Sequence, residues 1–151
     1  MRSPYVPSFL RCLRDLGGVV AVELAVLAPL LMLAFVCITD LGLGIYANMQ
    51  VDSAAQYGVQ YAVTNGYDAS AIRSAVKSTS DIDLNVAPTS FCGCPGTSGV
   101  AQSLCNLQCS DGSTPGTFVT VTVAHDYVTL LPYPGIPPRF ALSSQSTVRL
   151  K

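Results

Sequence analysis

The chain has 151 residues, of which 50% are hydrophobic and 11% charged, with no tryptophan and a formal net charge of -1. Soluble domains usually carry about 25% charged residues, so this composition indicates a membrane segment joined to a small domain. A chain of this length has room for one such domain. The near-neutral charge and the lack of a basic face argue against a nucleic-acid-binding protein.

The first predicted element is a membrane-spanning helix over residues 19–39. At about 1.5 Å of rise per residue, this apolar run matches a hydrocarbon core about 30 Å thick. Three arginines precede the run, namely Arg2, Arg11 and Arg14. Because basic residues stay on the cytoplasmic side, residues 1–18 are expected in the cytoplasm, and the chain after Asp40 is expected outside it.

A cleaved secretory signal is the main competitor for this apolar run. Such signals have an apolar region of about 7–15 residues that ends at a small-x-small site. The run here is longer and is interrupted by Glu23, and only a weak candidate site follows it, around Gly42 and Gly44. The chain on the C-terminal side of the run is therefore expected to remain attached to it.

Glu23 itself needs an explanation. A carboxylate at the centre of a bilayer costs roughly 2.5–3.5 kcal/mol on insertion scales, so it is usually kept for a specific partner. It could equally lie within about a turn of the interface and reach the headgroups. The residues alone leave both interpretations open.

The helix is expected to continue well beyond the membrane, to about residue 66. Pro29 lies inside the span and predicts a kink. No proline occurs between Asp40 and the strong terminator Asn65–Gly66. Small residues recur at spacings of three and four, namely Ala47, Val51, Ala54, Ala55, Gly58 and Ala62. This stripe could pack against partner helices or against the chain's own C-terminal domain.

Residues 67–151 are predicted to form an α+β domain. A short helix begins after an N-cap at Asp68, with Ile72, Ala75 and Val76 facing inward. A first strand over residues 81–88 places Ile82, Leu84 and Val86 on one face. The strongest strand pattern is β-branched, runs through Val123 and opens at Phe118 or Val119. With a final strand over 140–150, these elements predict a small antiparallel sheet of three or four strands, packed on the second half of the long helix.

Four cysteines lie in a segment rich in Gly, Ser, Thr and Pro, predicted as a loop over residues 90–117. They are Cys92, Cys94, Cys105 and Cys109. In an oxidising compartment such cysteines form disulfides. A zinc site is the alternative, but the spacing departs from the usual zinc knuckles. A bond between Cys92 and Cys94 looks strained, so two bridges are expected between these two and Cys105 and Cys109, in nested or crossed order.

Catalytic patterns are scarce, and neither a metal nor a cofactor is expected. His125 is the sole histidine and lies in a predicted strand, while Asp81 and Asp83 fit a solvated loop better than a catalytic pair. No phosphate-binding, dinucleotide-binding or zinc-protease motif occurs. We therefore do not expect an enzyme.

The segment from Gly18 to Glu23, within "GGVVAVEL", resembles the prepilin peptidase site of type IV pilins and pseudopilins. Over the longer stretch "AVELAVLAPLLMLAFVCITDLGLGIYANMQVDSAAQYGVQYAV" the chain is most similar to TadE-like minor pseudopilins of the Tad (Flp) pilus system. Leu24 stands where that family more often has Phe, and Gln56 where it more often has Arg. A cysteine-rich loop before a V-x-V-x-V strand, and an arginine near the end, here Arg149, are also similar.

The resemblance implies cleavage between Gly18 and Val19, which makes residues 1–18 a leader peptide and Glu23 the fifth residue of the mature chain. It implies that Glu23 pairs with an N-terminal ammonium of its own or a neighbouring subunit. It also implies a pilin-like fold and a single-pass protein of the bacterial inner membrane, with a periplasmic domain and a possible place in the pilus. The implied partners are the prepilin peptidase, other pilins and pseudopilins, inner-membrane pilus assembly proteins and membrane lipid.

Three functions follow from these patterns. The first is a non-enzymatic minor pseudopilin that takes part in assembly of a Tad-type pilus. The alternative is an uncleaved single-span protein that displays a disulfide-stabilised periplasmic binding domain. The third is a redox carrier that uses the cysteine-rich loop, although a C-x-C spacing without a thioredoxin-like pattern supports it weakly.

Overall fold

The structure, a computed structural model, describes residues 16–97, 99–133 and 135–150, with side chains described from residue 20 onward. The three N-terminal arginines, Cys12 and the first fifteen residues of the predicted leader lie outside these ranges. The described elements, in chain order, are α1 (Leu16–Asn65), α2 (Ala69–Lys77), β1 (Asn85–Gly96), β2 (Gly99–Gln102), β3 (Gly116–Val128) and β4 (Arg139–Arg149). The predicted α+β class, with a long N-terminal helix and a small antiparallel sheet, is confirmed.

The chain divides into two compact units, Met1–Gly42 and Leu43–Lys151. Where it is described, the first unit is the apolar beginning of α1. The second unit contains the remainder of α1 together with α2 and the sheet. The second half of the long helix is therefore part of the folded C-terminal unit.

Helix α1 includes Pro29 and ends at Asn65, one residue before the predicted limit. Gly66 follows with a φ of 85°, and its N–H donates to the carbonyl of Ala62 at 3.0 Å. A left-handed residue closes the last turn in this way, and glycine adopts that conformation without a steric penalty. The terminator predicted from Asn65–Gly66 is confirmed.

Helix α2 is capped by Asp68, as its sequence indicates. The carboxylate accepts hydrogen bonds from the Ser70 hydroxyl and from the N–H groups of Ala71 and Ser70, which together lower the pKa of Asp68. Because the folded pKa is lowered, the cap is fully effective above the pKa of an unfolded aspartate, about 3.9, and is lost as the pH falls through the folded value. Ile72 and Val76 are buried by this helix, and Ala75 is half-buried.

The four strands form one antiparallel sheet in the order β2-β1-β3-β4. Val121 of β3 pairs with Pro88 of β1 on one side and with Ser146 of β4 on the other. Helix α2 is tied to β1 because Arg73 Nε donates to the carbonyl of Val86 at 3.1 Å. The strand order places β3, the most apolar strand, in the interior of the sheet.

Part of the predicted loop over residues 90–117 is strand, and this differs from the expectation. Strand β1 begins at Asn85 rather than at residue 81, extends to Gly96 and turns through Gly99 into β2. Among the described residues of this segment, Thr97 forms a turn and residues 103–115 are irregular. Hydrogen bonding to β3 as far as Gly93 supplies the order, and this pairing depends on backbone groups that residue hydrophobicity does not report.

The hydrophobic core lies between one face of the sheet and the two helices. The valines at alternating positions 119, 121 and 123 of β3 are fully buried, as period-two alternation requires. They pack with Val86 and Leu84 and with buried residues of both helices, namely Val51, Ala54, Ala55, Val59, Ala62, Ile72 and Val76. Ile82 packs at the edge of this cluster, although it precedes β1. The sheet is thus packed on the second half of α1, as predicted.

Candidate functional site

The apolar beginning of α1 is the first candidate. The described side chains from Val20 to Phe35 are all exposed, and this helix is long and apolar enough to cross a membrane by length and composition. Cys37, a free cysteine, is also exposed on it. Burial of so many apolar side chains is strongly favourable, so this surface requires a lipid or protein environment.

Glu23 lies within this apolar surface. It is exposed between the exposed side chains of Val22 and Leu24, and it is the only glutamate in the chain. Among the residues whose side chains are described, none forms an ion pair or hydrogen bond with Glu23. Gly18 and Val19 lie in the same helix, and their side chains are outside the description.

The stripe of small residues is the second candidate, and all six of its members are buried within the unit Leu43–Lys151. Gly58 shows how close this approach is. A Cβ at that position would lie 2.8 Å from Cγ1 of Val121 and 3.0 Å from Cγ2 of Val76. The small side chains allow helix α1 to lie against the sheet and α2. Of the two uses considered for the stripe, packing against the chain's own domain is the one present in this structure.

Gln56, which replaces the arginine common in the resembling family, has a local explanation. Its Nε2 donates to the Asp52 carboxylate one turn earlier, at 3.2 Å. The other oxygen of Asp52 accepts a hydrogen bond from the Ser144 hydroxyl at 2.8 Å. The neutral amide of Gln56 therefore donates a hydrogen bond to Asp52. Through its second oxygen, Asp52 links α1 to β4.

The cysteine staple is the third candidate. Disulfides join Cys92 to Cys105 and Cys94 to Cys109, which is the crossed order. Cys92 and Cys94 lie on β1, whereas Cys105 and Cys109 belong to the irregular segment 103–115. The staple therefore fixes a segment with few buried side chains to the sheet, and the predicted disulfide-stapled loop is confirmed.

The face of the sheet opposite the core carries a feature that the sequence patterns did not reveal. Phe91, Phe118 and Arg149 are aligned across three neighbouring strands, and the two rings stack with centroids 5.8 Å apart. The Arg149 side chain lies over Gly116, because a Cβ there would be 2.5 Å from its Nε. Phe118 is consequently buried although it faces away from the core.

The next row on this outer face is polar. The hydroxyls of Thr120 and Thr147 are 2.7 Å apart, and the Thr89 hydroxyl donates to the carbonyl of Thr120 at 3.4 Å. Thr120 is buried. The sequence could have indicated which residues lie on this face. Residues that alternate with the core valines of β3 must all point to the opposite side of the sheet.

Of the titratable residues considered for chemistry, His125 has a structural contact. Nδ1 of His125 is 2.8 Å from the carbonyl oxygen of Asp83, which joins β3 to the segment that leads into β1. Asp111 accepts hydrogen bonds from the hydroxyl and N–H of Ser113, and these bonds lower the pKa of the Asp111 carboxyl. Over the described residues, no three His, Cys, Asp or Glu side chains are grouped so as to hold a metal ion.

Comparison with known proteins gives one match. Residues 18–60 match the family model described as TadE-like protein. No curated protein and no solved structure is significantly similar to the chain. Together with the apolar helix, the match indicates a membrane protein related to the Tad pilus. The matched residues include Glu23 and five of the six small residues of the stripe, so the similarity to the TadE-like family lies in helix α1.

Proposed function

We propose that the chain is a non-enzymatic minor pseudopilin that a prepilin peptidase cleaves between Gly18 and Val19, and that takes part in assembly of a Tad-type pilus. The observation that carries this proposal is the position of Glu23. It lies five residues after the proposed cleavage site, in an apolar exposed helix, without a partner among the described side chains. The TadE-like match begins at residue 18, which is the glycine of the proposed site.

Cleavage supplies the missing partner. It leaves an α-amino group on Val19, and an ammonium is a favourable counter-ion for a carboxylate at membrane depth. The pairing takes place between Glu23 and the ammonium of its own or a neighbouring subunit. The attraction between opposite charges is stronger in a low-dielectric medium. This contact between neighbouring subunits therefore fixes the axial position of one subunit against the next.

The proposed location is the bacterial inner membrane, with the N-terminus in the cytoplasm and the C-terminal domain in the periplasm. Two independent features support this orientation. The arginines precede the apolar segment, and both disulfides lie in the C-terminal unit, where an oxidising compartment would preserve them. The proposed partners are the prepilin peptidase, other pilins and pseudopilins, and inner-membrane assembly proteins.

Processing can be tested with two glycine variants of the full-length chain, produced together with a prepilin peptidase and measured by intact mass. The unaltered chain and the matched control Gly17→Ala should lose residues 1–18, whereas Gly18→Ala should keep them. A folded, disulfide-bonded chain that is never cut would contradict the proposal. It would favour the alternative of an uncleaved single-span protein that displays a periplasmic binding domain.

The role of the carboxylate can be tested with Glu23→Gln, which keeps the size of the side chain and removes its charge. Membrane insertion and cleavage should be retained, while the amount of sheared pilus should fall sharply. Cys37→Ser changes another exposed position of the same apolar helix and serves as the control. If pilus yield were equal in the two variants, Glu23 would have no role in assembly.

A further inference from the structure

We infer that the C-terminal unit rests on the membrane surface through an apolar patch beside the β3–β4 connection, and that this patch binds the interfacial region of the bilayer. The patch consists of exposed residues at the facing ends of β3 and β4 and in the connection between them, namely Val128, Leu131, Ile136 and Phe140. This inference does not depend on cleavage at Gly18 or on pilus assembly.

The position of the patch within the unit follows from two contacts of α1. A Cβ at Gly44 would lie 3.6 Å from the ring of Tyr127, and a Cβ at Gly58 would lie 2.8 Å from Val121. Helix α1 and strand β3 therefore run in opposite directions. The end of β3 that leads into the patch lies beside the beginning of the helical part of this unit.

That end of the unit is also where the chain comes from the predicted membrane span. Five residues separate Gly44 from the end of the span at residue 39, which is about 7 Å of helical rise. The helix remains apolar there, because Leu43, Ile45 and Tyr46 are exposed. The polar headgroup region adds several ångströms to each side of the hydrocarbon core, so this end of the unit is at the depth of the headgroups.

The chemistry of the patch fits a lipid surface. The exposed side chains of the patch are aliphatic and aromatic, and side chains of this kind insert at membrane interfaces. No acidic residue occurs after Asp126, whereas three basic residues follow it, namely Arg139, Arg149 and Lys151. Arg139 is exposed at the start of β4, next to the patch. An apolar surface flanked by positive charge is attracted to anionic lipid headgroups.

The opposite end of the sheet provides an internal control. Leu107 is 54% exposed, against 41% for Leu131 and 48% for Ile136. It lies in the segment stapled by the disulfides, near the beginning of β3 rather than its end. At about 3.3 Å per residue, the thirteen residues of β3 separate the two ends by roughly 40 Å. A similar apolar side chain at that end is too far away to reach the same bilayer surface.

The absence of tryptophan allows a direct test, since a single introduced indole is the only one in the protein. Full-length Leu131→Trp, Ile136→Trp and Leu107→Trp proteins are placed in nanodiscs of phosphatidylcholine and phosphatidylglycerol, with and without acyl-chain bromination. Bromination should quench Leu131→Trp and Ile136→Trp by at least about twofold, because interfacial side chains insert roughly 5–10 Å. Leu107→Trp should be unquenched and should emit at longer wavelength.

Equal quenching at all three positions, or none at Leu131→Trp and Ile136→Trp, would overturn the inference. An indole that is shielded from water but is not quenched by bromine would point to another cover. If this shielding increased with the number of chains per disc, a protein would cover the patch instead of lipid. Intact mass under non-reducing conditions verifies that both disulfides are present in each variant. Two reporters within the patch keep the result decisive if one variant folds poorly.

Discussion

At the scale of single residues, two positions on helix α1 have contrasting surroundings. Glu23 is charged and exposed among apolar side chains, whereas Gly58 is buried against Val121 and Val76. The acid is costly in a membrane unless it is paired. Glycine lowers intrinsic helix stability by about 1 kcal/mol relative to alanine. At position 58 this cost is offset by close packing, because a larger side chain would meet Val121 and Val76.

Replacement of Gly58 tests that steric argument. Gly58→Val should lower the free energy of unfolding by about 1–3 kcal/mol relative to Gly42→Val, because extra methyl groups in a packed core force neighbours to move. The two variants change helix propensity in the same way, and a Cβ at Gly42 has no neighbour within 4 Å. Denaturant unfolding of the full-length variants in detergent measures the difference. Equal stability would mean that the core can absorb the added volume.

At the scale of elements, the sheet is held by two kinds of interaction at its two ends. The core valines of β3 bury one face against α1 and α2, whereas the cysteine-rich region buries few side chains and relies on covalent links. The bridges span 13 and 15 residues. Closing a loop of this size lowers the conformational entropy of the unfolded chain, which stabilises the folded state by roughly 3 kcal/mol.

The crossed pairing predicts a rank order among double variants. Cys92→Ser with Cys105→Ser removes one bridge and should lower the free energy of unfolding by about 2–4 kcal/mol. Cys92→Ser with Cys109→Ser breaks both native bridges. This variant should be clearly less stable than the first, although both variants retain two of the four cysteines. Thermal unfolding with free-thiol titration compares the two. The reverse order would show that the bridges are nested.

At the scale of the whole molecule, the chain combines a unit with its own core and a helix segment that has none. The buried hydrophobic cluster lies entirely within Leu43–Lys151, whereas the described apolar side chains from Val20 to Phe35 are exposed. A unit that contains a complete core satisfies the usual requirement for independent folding. The apolar helix segment gains its stability from membrane or partner instead.

This division predicts that a fragment of residues 43–151 folds without the apolar segment. Exported to an oxidising compartment, it should form both disulfides and unfold in one cooperative transition, as small domains usually do. Near-ultraviolet circular dichroism, thiol titration and thermal melts measure these properties. A fragment of residues 67–151 is the control, and it should fail because it lacks Val51, Ala55 and Val59 of the core. A non-cooperative melt of the longer fragment would contradict the prediction.

The sequence by itself determined the elements that depend on local pattern. The apolar run and the proline-free stretch after it indicated a long α1, Asn65–Gly66 ended it, Asp68 capped α2, and the β-branched run marked β3 as a strand. Each depends on neighbours a few residues apart, whose side chains and backbone act directly on one another. The segment from Gly18 to Glu23 resembled a prepilin peptidase site, and the longer stretch that follows resembled TadE-like proteins, whose family model matches residues 18–60.

Tertiary structure decided the features that join distant parts of the chain. The crossed disulfides, the extension of β1 into a hairpin with β2, and the stacking of Phe91 on Phe118 all require pairing over more than ten residues or between backbone groups. Hydrophobic periodicity carries no information on such register. The use of the small-residue stripe was open for the same reason, because small side chains permit close packing but do not specify the surface that approaches them. Only the fold shows that Val121 and Val76 lie against Gly58.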